Sequence, residues 1–161
     1  MRLGILSDTH DQTTAMRHAM DALRRDRRAS YIIHCGDLCS PRMLDFLAGV
    51  PAGFVFGNCD LDRDGLRRHA EGIGVHCFGE FGEFTMGDRE FAVIHGDDKG
   101  RLNALIAEQR HDYMLCGHTH EWRDEQVGRV RVINAGALFD AEQFTCAMLY
   151  LGSGRLEKIR L

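Results

Sequence analysis

Three short apolar runs stand at near-regular spacing in the first third of the chain: LGIL (3–6), YIIHC (31–35) and GFVFGN (53–58). Between the first two, Ala15, Met16, Ala19, Met20 and Leu23 recur at helical spacing, so a helix is expected over residues 12–28. Between the second and third, Ser40 is suited to an N-cap and Pro41 to the first helical position, with Gly49 ending that helix. Strand, helix, strand, helix, strand at this spacing implies parallel strands joined by crossovers.

Beyond residue 80 the pattern changes. FGEFTMGDREFAVIHG reads as a hairpin turning at Gly87-Asp88, Gly100 to Arg110 as a helix, and DYMLC as one more apolar strand. WRDEQVGRVRVIN and FTCAMLYLGSGRLEKIRL alternate and turn at Gly128 and at Gly152–Gly154, as antiparallel strands do. The expectation is a mixed α/β, β-rich sandwich with helices outside. No linker, low-complexity run or repeat divides residues 1–161, so one domain is expected.

A net charge of −4 gives no broad basic footprint, which makes nucleic acid an unlikely partner. The RRDRR stretch (24–28) reads as the solvated last turn of a helix, its arginines facing the negative end of the dipole. No secretory apolar region precedes Asp8, and no run approaches the ~20 apolar residues of a membrane span. Most of the six cysteines lie in or beside strand-like runs, so they read as buried small hydrophobes in a reducing cytoplasm.

The ends of the strands carry the chemistry. The first run leads to Asp8 and His10, the second to Asp37, the third to Asn58, the hairpin to His95 and DYMLC to His118 and His120. In α/β sheets ligands bind beyond the carboxyl ends of the strands. Each signal alone is weak: a lone histidine after a strand is more often structural, Asp37 could cap a turn, and Asn58 could tolerate a left-handed one. Five segments aiming oxygen and nitrogen donors at one edge are a far stronger signal.

The order D-x-H, GD, GN, H, GHTH resembles the calcineurin-like metallophosphoesterase superfamily from Asp8 to about Asn134, and GNCD is similar to its small, YfcE-like phosphodiesterase branch. The resemblance implies a four-layer αββα sandwich of two mixed sheets flanked by helices. It implies two divalent ions, one held by Asp8, His10, Asp37 and His120 and the other by Asp37, Asn58, His95 and His118, with Asp37 bridging. Asp37, Asn58 and His95 would be catalytic, and Asn58 and Cys59 would meet the substrate. Ions ~3.5–4 Å apart clamp an in-line displacement at phosphorus. Two such ions against two aspartates leave a charge of about +2, which suits a phosphate and acidifies a bridging water, the expected nucleophile. The mixed donors suit Mn²⁺, favoured by the resemblance, or Ni²⁺, Fe²⁺, Co²⁺ or Zn²⁺. The implied substrate is a small phosphodiester, and relatives often form homo-oligomers.

Three departures from the family pattern stand out. Cys59 occupies the place of a histidine in many members, and a thiol of reference pKa ~8.5 is a poor substitute for an imidazole acid. Asp97 stands where relatives often have the second histidine of His-Gly-His, after His95-Gly96, and it and Asp98 read as a solvated turn or helix N-cap. Asn134-Ala135-Gly136-Ala137 replaces an Asn-Pro-Gly-Ser run, which leaves that loop free to admit a different substrate. The alternative is a non-catalytic scaffold with a vestigial metal site, like the retromer subunit of the same fold.

Overall fold

A computed structural model describes all 161 residues. Eleven strands form two mixed sheets. The first has the order β11-β10-β1-β2-β3-β4, with β1 at Arg2–Leu6, β2 at Tyr31–His34, β3 at Ala52–Phe54, β4 at His76–Cys77, β10 at Thr145–Tyr150 and β11 at Arg155–Arg160. Strands β1 to β4 run parallel, and β10 and β11 close the other edge antiparallel. The second sheet has the order β5-β6-β7-β9-β8, with β5 at Phe81–Met86, β6 at Arg89–Ile94, β7 at Tyr113–Cys116, β8 at Trp122–Val127 and β9 at Val130–Ala135. Its parallel pairs are β6·β7 and β7·β9.

The apolar runs are continuous because both faces of each inner strand are covered. Leu3 and Ile5 of β1, Ile33 of β2, Phe91 and Val93 of β6 and Tyr113 and Leu115 of β7 meet between the sheets. Leu6 and Ile32 turn the other way, onto α1 (Thr13–Asp21) and α2 (Arg63–Ile73). Ala92, Ile94, Met114 and Cys116 pack on α3 (Lys99–Ala107). Three cores separated by two sheets make the four-layer αββα sandwich.

Several local expectations need correction. The helix expected over 12–28 is α-helical only to Asp21, then widens into a π-helical stretch over Ala22–Asp26 and ends with Arg28 at φ +54°. Ser40 and Pro41 stand at the expected N-cap and first helical positions, but the Ser40 hydroxyl donates to Asp11 and makes no capping bond to the helix, and Pro41–Leu47 is a 3₁₀ helix that ends before Gly49. The third strand stops at Phe54, four residues short of Asn58. Residues 63–73, to which the sequence pattern assigns no element, form α2, capped by the Asp62 carboxylate at one end and by left-handed Gly74 at the other. Within RRDRR, Arg24 and Arg25 are exposed and Arg27 pairs with Glu157 at 2.8 Å. All six cysteines are free, and no helix is long and apolar enough to cross a membrane.

Candidate metal centre

The loops that leave the strands are laced to one another before any side chain is considered. Asp8 N–H donates to the Gly36 carbonyl at 3.0 Å, His10 N–H to the Asp37 carbonyl at 3.0 Å, and Leu138 N–H to the Asp8 carbonyl at 3.1 Å. Asp8, His10, Asp37, His118 and His120 all have φ between +40° and +68°. Non-glycine residues seldom adopt this left-handed region, and such strain concentrates at functional sites. Here it turns each chain sharply at the sheet edge and aims the side chain back at a common centre.

Asp8, fully buried, lies 3.4 Å from His120 Nε2 and 3.9 Å from His95 Nε2 through Oδ1. Asp37 Oδ2 lies 3.3 Å from His10 Nε2 and 3.4 Å from His95 Nε2. Asn58 Oδ1 faces both His95 Nε2 and His118 Nδ1 at 3.1 Å. All seven side chains expected to ligate therefore converge. Asp8, His10 and His120 offer donor atoms within 4.8 Å of one another, as do Asp8, Asp37 and His95. His118 falls outside these compact groups and reaches the centre beside Asn58. Cys59 forms another group with His10 and Asp37, and its N–H donates to Asp37 Oδ1 at 2.8 Å.

The donor set fits divalent metal ions. The Nδ1 atoms of His95 and His120 are tied to the carbonyls of Cys35 at 2.8 Å and Asp140 at 3.1 Å, which leaves Nε2 of each ring for the centre. His10 Nε2 is a buried nitrogen with no hydrogen-bond partner, held against Asp37. Burial opposes the charge on Asp37, but the hydrogen bond and charge of His95, the Cys59 N–H and His10 hold its carboxyl well below the usual range. Burial likewise opposes charge on His95, yet Asp37 and Asp8 push it up to about 9. Two carboxylates in this enclosure demand positive charge.

Space is as restrictive as charge. A Cβ on Gly57 would lie 2.6 Å from the Asp37 nitrogen, and one on Gly117 would lie 2.7 Å from Asp8 Oδ2. Glycine precedes Asn58 and His118 because Asp37 in the first case, and the Ser7 side chain with the Asp8 carboxylate in the second, occupy the room a side chain needs.

Supporting residues complete the site, and two of them, Asp60 and His34, carry no legible signal in the sequence. Buried Asp60, the last residue of GNCD, accepts from Asp37 N at 2.9 Å and Gly57 N at 2.7 Å through Oδ2, and from Cys39 N at 2.7 Å through Oδ1. His34 is buried beside Thr9 Oγ1 at 3.2 Å, and burial, with His95 nearby, lowers its pKa to about 3. Asn134 donates to the Gly117 carbonyl at 2.8 Å and to Thr119 Oγ1 at 3.1 Å, and so holds the GHTH loop in place. Asp97 and Asp98 are exposed, and Asp98 caps α3 by accepting from Arg101 N at 2.9 Å.

Comparison with known proteins bears on the family and the fold. A family model described as the calcineurin-like phosphoesterase superfamily domain matches residues 1–154. A phosphodiesterase of Methanocaldococcus jannaschii is 32% identical over 139 residues, covering 84% of this chain and 83% of the relative. The solved structure of an archaeal phosphodiesterase is 28% identical, with a TM-score of 0.91 over 100% of both chains. YfcE, a phosphoesterase from E. coli, shares the fold at 16% identity and TM-score 0.71, over 99% of this chain and 98% of its own.

Proposed function

The chain belongs to the calcineurin-like phosphoesterase superfamily and is a metallophosphoesterase, and we propose that it is a phosphodiesterase of small substrates working through two divalent ions. The supporting observation is the convergence of Asp8, His10, Asp37, Asn58, His95, His118 and His120 from five separate segments. Asp8, His10, Asp37 and His120 would hold one ion and Asp37, Asn58, His95 and His118 the other, Mn²⁺ being the favoured metal. When bound, the ions supply Lewis acidity toward the phosphate oxygens and an acidified water for attack on phosphorus.

The remaining work falls to the chain. Asp37, fixed by the Cys59 N–H and by Asp60 beneath its own N–H, keeps its carboxylate between His10 and His95. Tethered Nδ1 atoms keep His95 and His120 from rotating away. Asn58 and Cys59 stand at the open side, where a phosphoryl group would enter. Because Cys59 replaces an imidazole acid, leaving groups that depart readily as anions are preferred, which favours aryl diesters over alkyl monoesters. The scaffold alternative is weaker, since every matched ligand position retains a competent donor.

Hydrolysis of an aryl phosphodiester with Mn²⁺, abolished by Asp37→Ala without unfolding, is the expected result. No turnover with any divalent metal would move the reading to the scaffold. Faster turnover of an alkyl monoester than of an aryl diester would overturn the leaving-group argument.

A further inference from the structure

Four large hydrophobic side chains are exposed. Met1 and Leu161 are the chain ends, Leu61 directly follows GNCD, and Phe139 lies five residues beyond Asn134. Both internal ones therefore sit on loops of the metal centre. Phe139 is flanked by bonds to two of the candidate ligands: its neighbour Leu138 donates N–H to the Asp8 carbonyl at 3.1 Å, and its other neighbour Asp140 accepts from His120 Nδ1 at 3.1 Å. This double clamp sets the Phe139 ring 4.6 Å from the His10 ring and 6.3 Å from the His120 ring, centroid to centroid, while 36% of the residue remains exposed. An apolar ring is thus held partly open to solvent at the mouth of a polar centre. From its neighbour Asp140 and from His120 onward opens a cleft of about 950 Å³, lined also by Glu121, Trp122, Glu142 and Lys158 but not by Phe139 itself. Lys158 is already drawn over the Trp122 ring at 5.1 Å, and three acidic side chains border the space, so a second phosphate would be poorly received.

We propose that Phe139 is a specificity-determining residue that stacks on a planar, uncharged aromatic ester group of the phosphodiester, selecting aryl-bearing diesters over alkyl and polyanionic ones. The inference rests on the phosphodiesterase reading and narrows its substrate class. Aromatic pairs prefer offset or edge-on contact, and the clamped loop presents the exposed part of the ring without further ordering of the chain.

The test uses Mn²⁺-loaded protein with phenylphosphonate and methylphosphonate as competitive inhibitors of aryl diester turnover. The probes share a headgroup, contain no ester bond and differ in the ring. The wild-type protein should bind phenylphosphonate about three- to tenfold more tightly. Phe139→Ala should erase that ratio, and Phe139→Tyr should keep it. Mn²⁺ affinity is measured in parallel by titration calorimetry. A ratio unchanged in Phe139→Ala, or equal weakening of both probes together with weaker Mn²⁺ binding, would mean that Phe139 merely covers His10 and would overturn the proposal. Failure of wild-type protein to bind either phosphonate or turn over the diester would instead refute the phosphodiesterase reading itself.

Discussion

Asp60 offers the sharpest test of how the centre is supported. Its carboxylate takes three backbone N–H groups, two on Oδ2 from Asp37 and Gly57 and one on Oδ1 from Cys39. Asp60→Ala leaves all three without their acceptor. An unsatisfied buried donor costs about 1–3 kcal/mol, and with partial rehydration of the small cavity we expect a loss of about 3–5 kcal/mol. Asp60→Asn can place its amide oxygen at the Oδ2 position, keep the bonds to Asp37 and Gly57, and lose only the one to Cys39. Burial raises the Asp60 carboxyl above its usual pKa even though the Gly57 and Cys39 N–H groups oppose this, so the neutral amide escapes part of the desolvation cost. Asp60→Asn should therefore cost about 1–2 kcal/mol, or roughly 2–8 °C in Tm for a chain of this size. Because the bonds fix the segments bearing Asp37 and Asn58, Mn²⁺ affinity should fall about 10–100-fold in both variants, the range typical of groups that orient ligands. Urea unfolding of the metal-free protein measures the first effect and Mn²⁺ titration the second. Stability of Asp60→Ala within about 0.5 kcal/mol of wild type would refute the claim that these bonds hold the loops.

Gly57→Ala forces a methyl group to within 2.6 Å of the Asp37 nitrogen and should abolish Mn²⁺-dependent turnover, whereas Gly72→Ala, with nothing within 4 Å inside α2, should be neutral or stabilising by up to about 1 kcal/mol; parallel activity and melting curves separate the two. His34 stays neutral in the fold down to about pH 3, while in the unfolded chain it takes up a proton below its ordinary value of 6.5. Its contribution is thus fully present above pH 6.5 and is lost as pH falls toward 3, at up to about 1.4 kcal/mol per pH unit, and urea midpoints of His34→Gln should show a shallower acid slope than wild type. An identical slope would count against a neutral buried His34. Metal analysis should find His120→Ala depleted in the ion shared with Asp8 and His10, and His118→Ala in the ion shared with Asn58 and His95; unchanged occupancy in both variants would remove the basis for the two-ion assignment.

Much of this site is written locally. Asp8, His10, Asp37, Asn58, His95, His118 and His120 each follow an apolar strand, and strand direction brings the first four to an edge of one sheet and His95, His118 and His120 to the facing edge of the other. The inner strands announce themselves because covering both faces demands an unbroken apolar run. Helix α2 is harder to see, since Leu66 and Ala70 are its only fully buried side chains and the rest is charged. The π-helical ending of the first helix and the 3₁₀ form of residues 41–47 follow from tertiary packing that overrides local propensity.

The sequence determined the types of the candidate ligands, their order and the strands that carry them, because those depend on periodicity and on neighbours along the chain. Tertiary structure decided what no local pattern encodes. It buried Asp60 under three N–H groups from two separate loops, left His34 neutral against His95, and clamped Phe139 over His10 through bonds to Asp8 and His120. An aspartate in a turn or a phenylalanine in a loop looks the same in sequence whether it meets water or a metal centre. Only long-range contact fixes its surroundings, and with them its charge, its partners and its use.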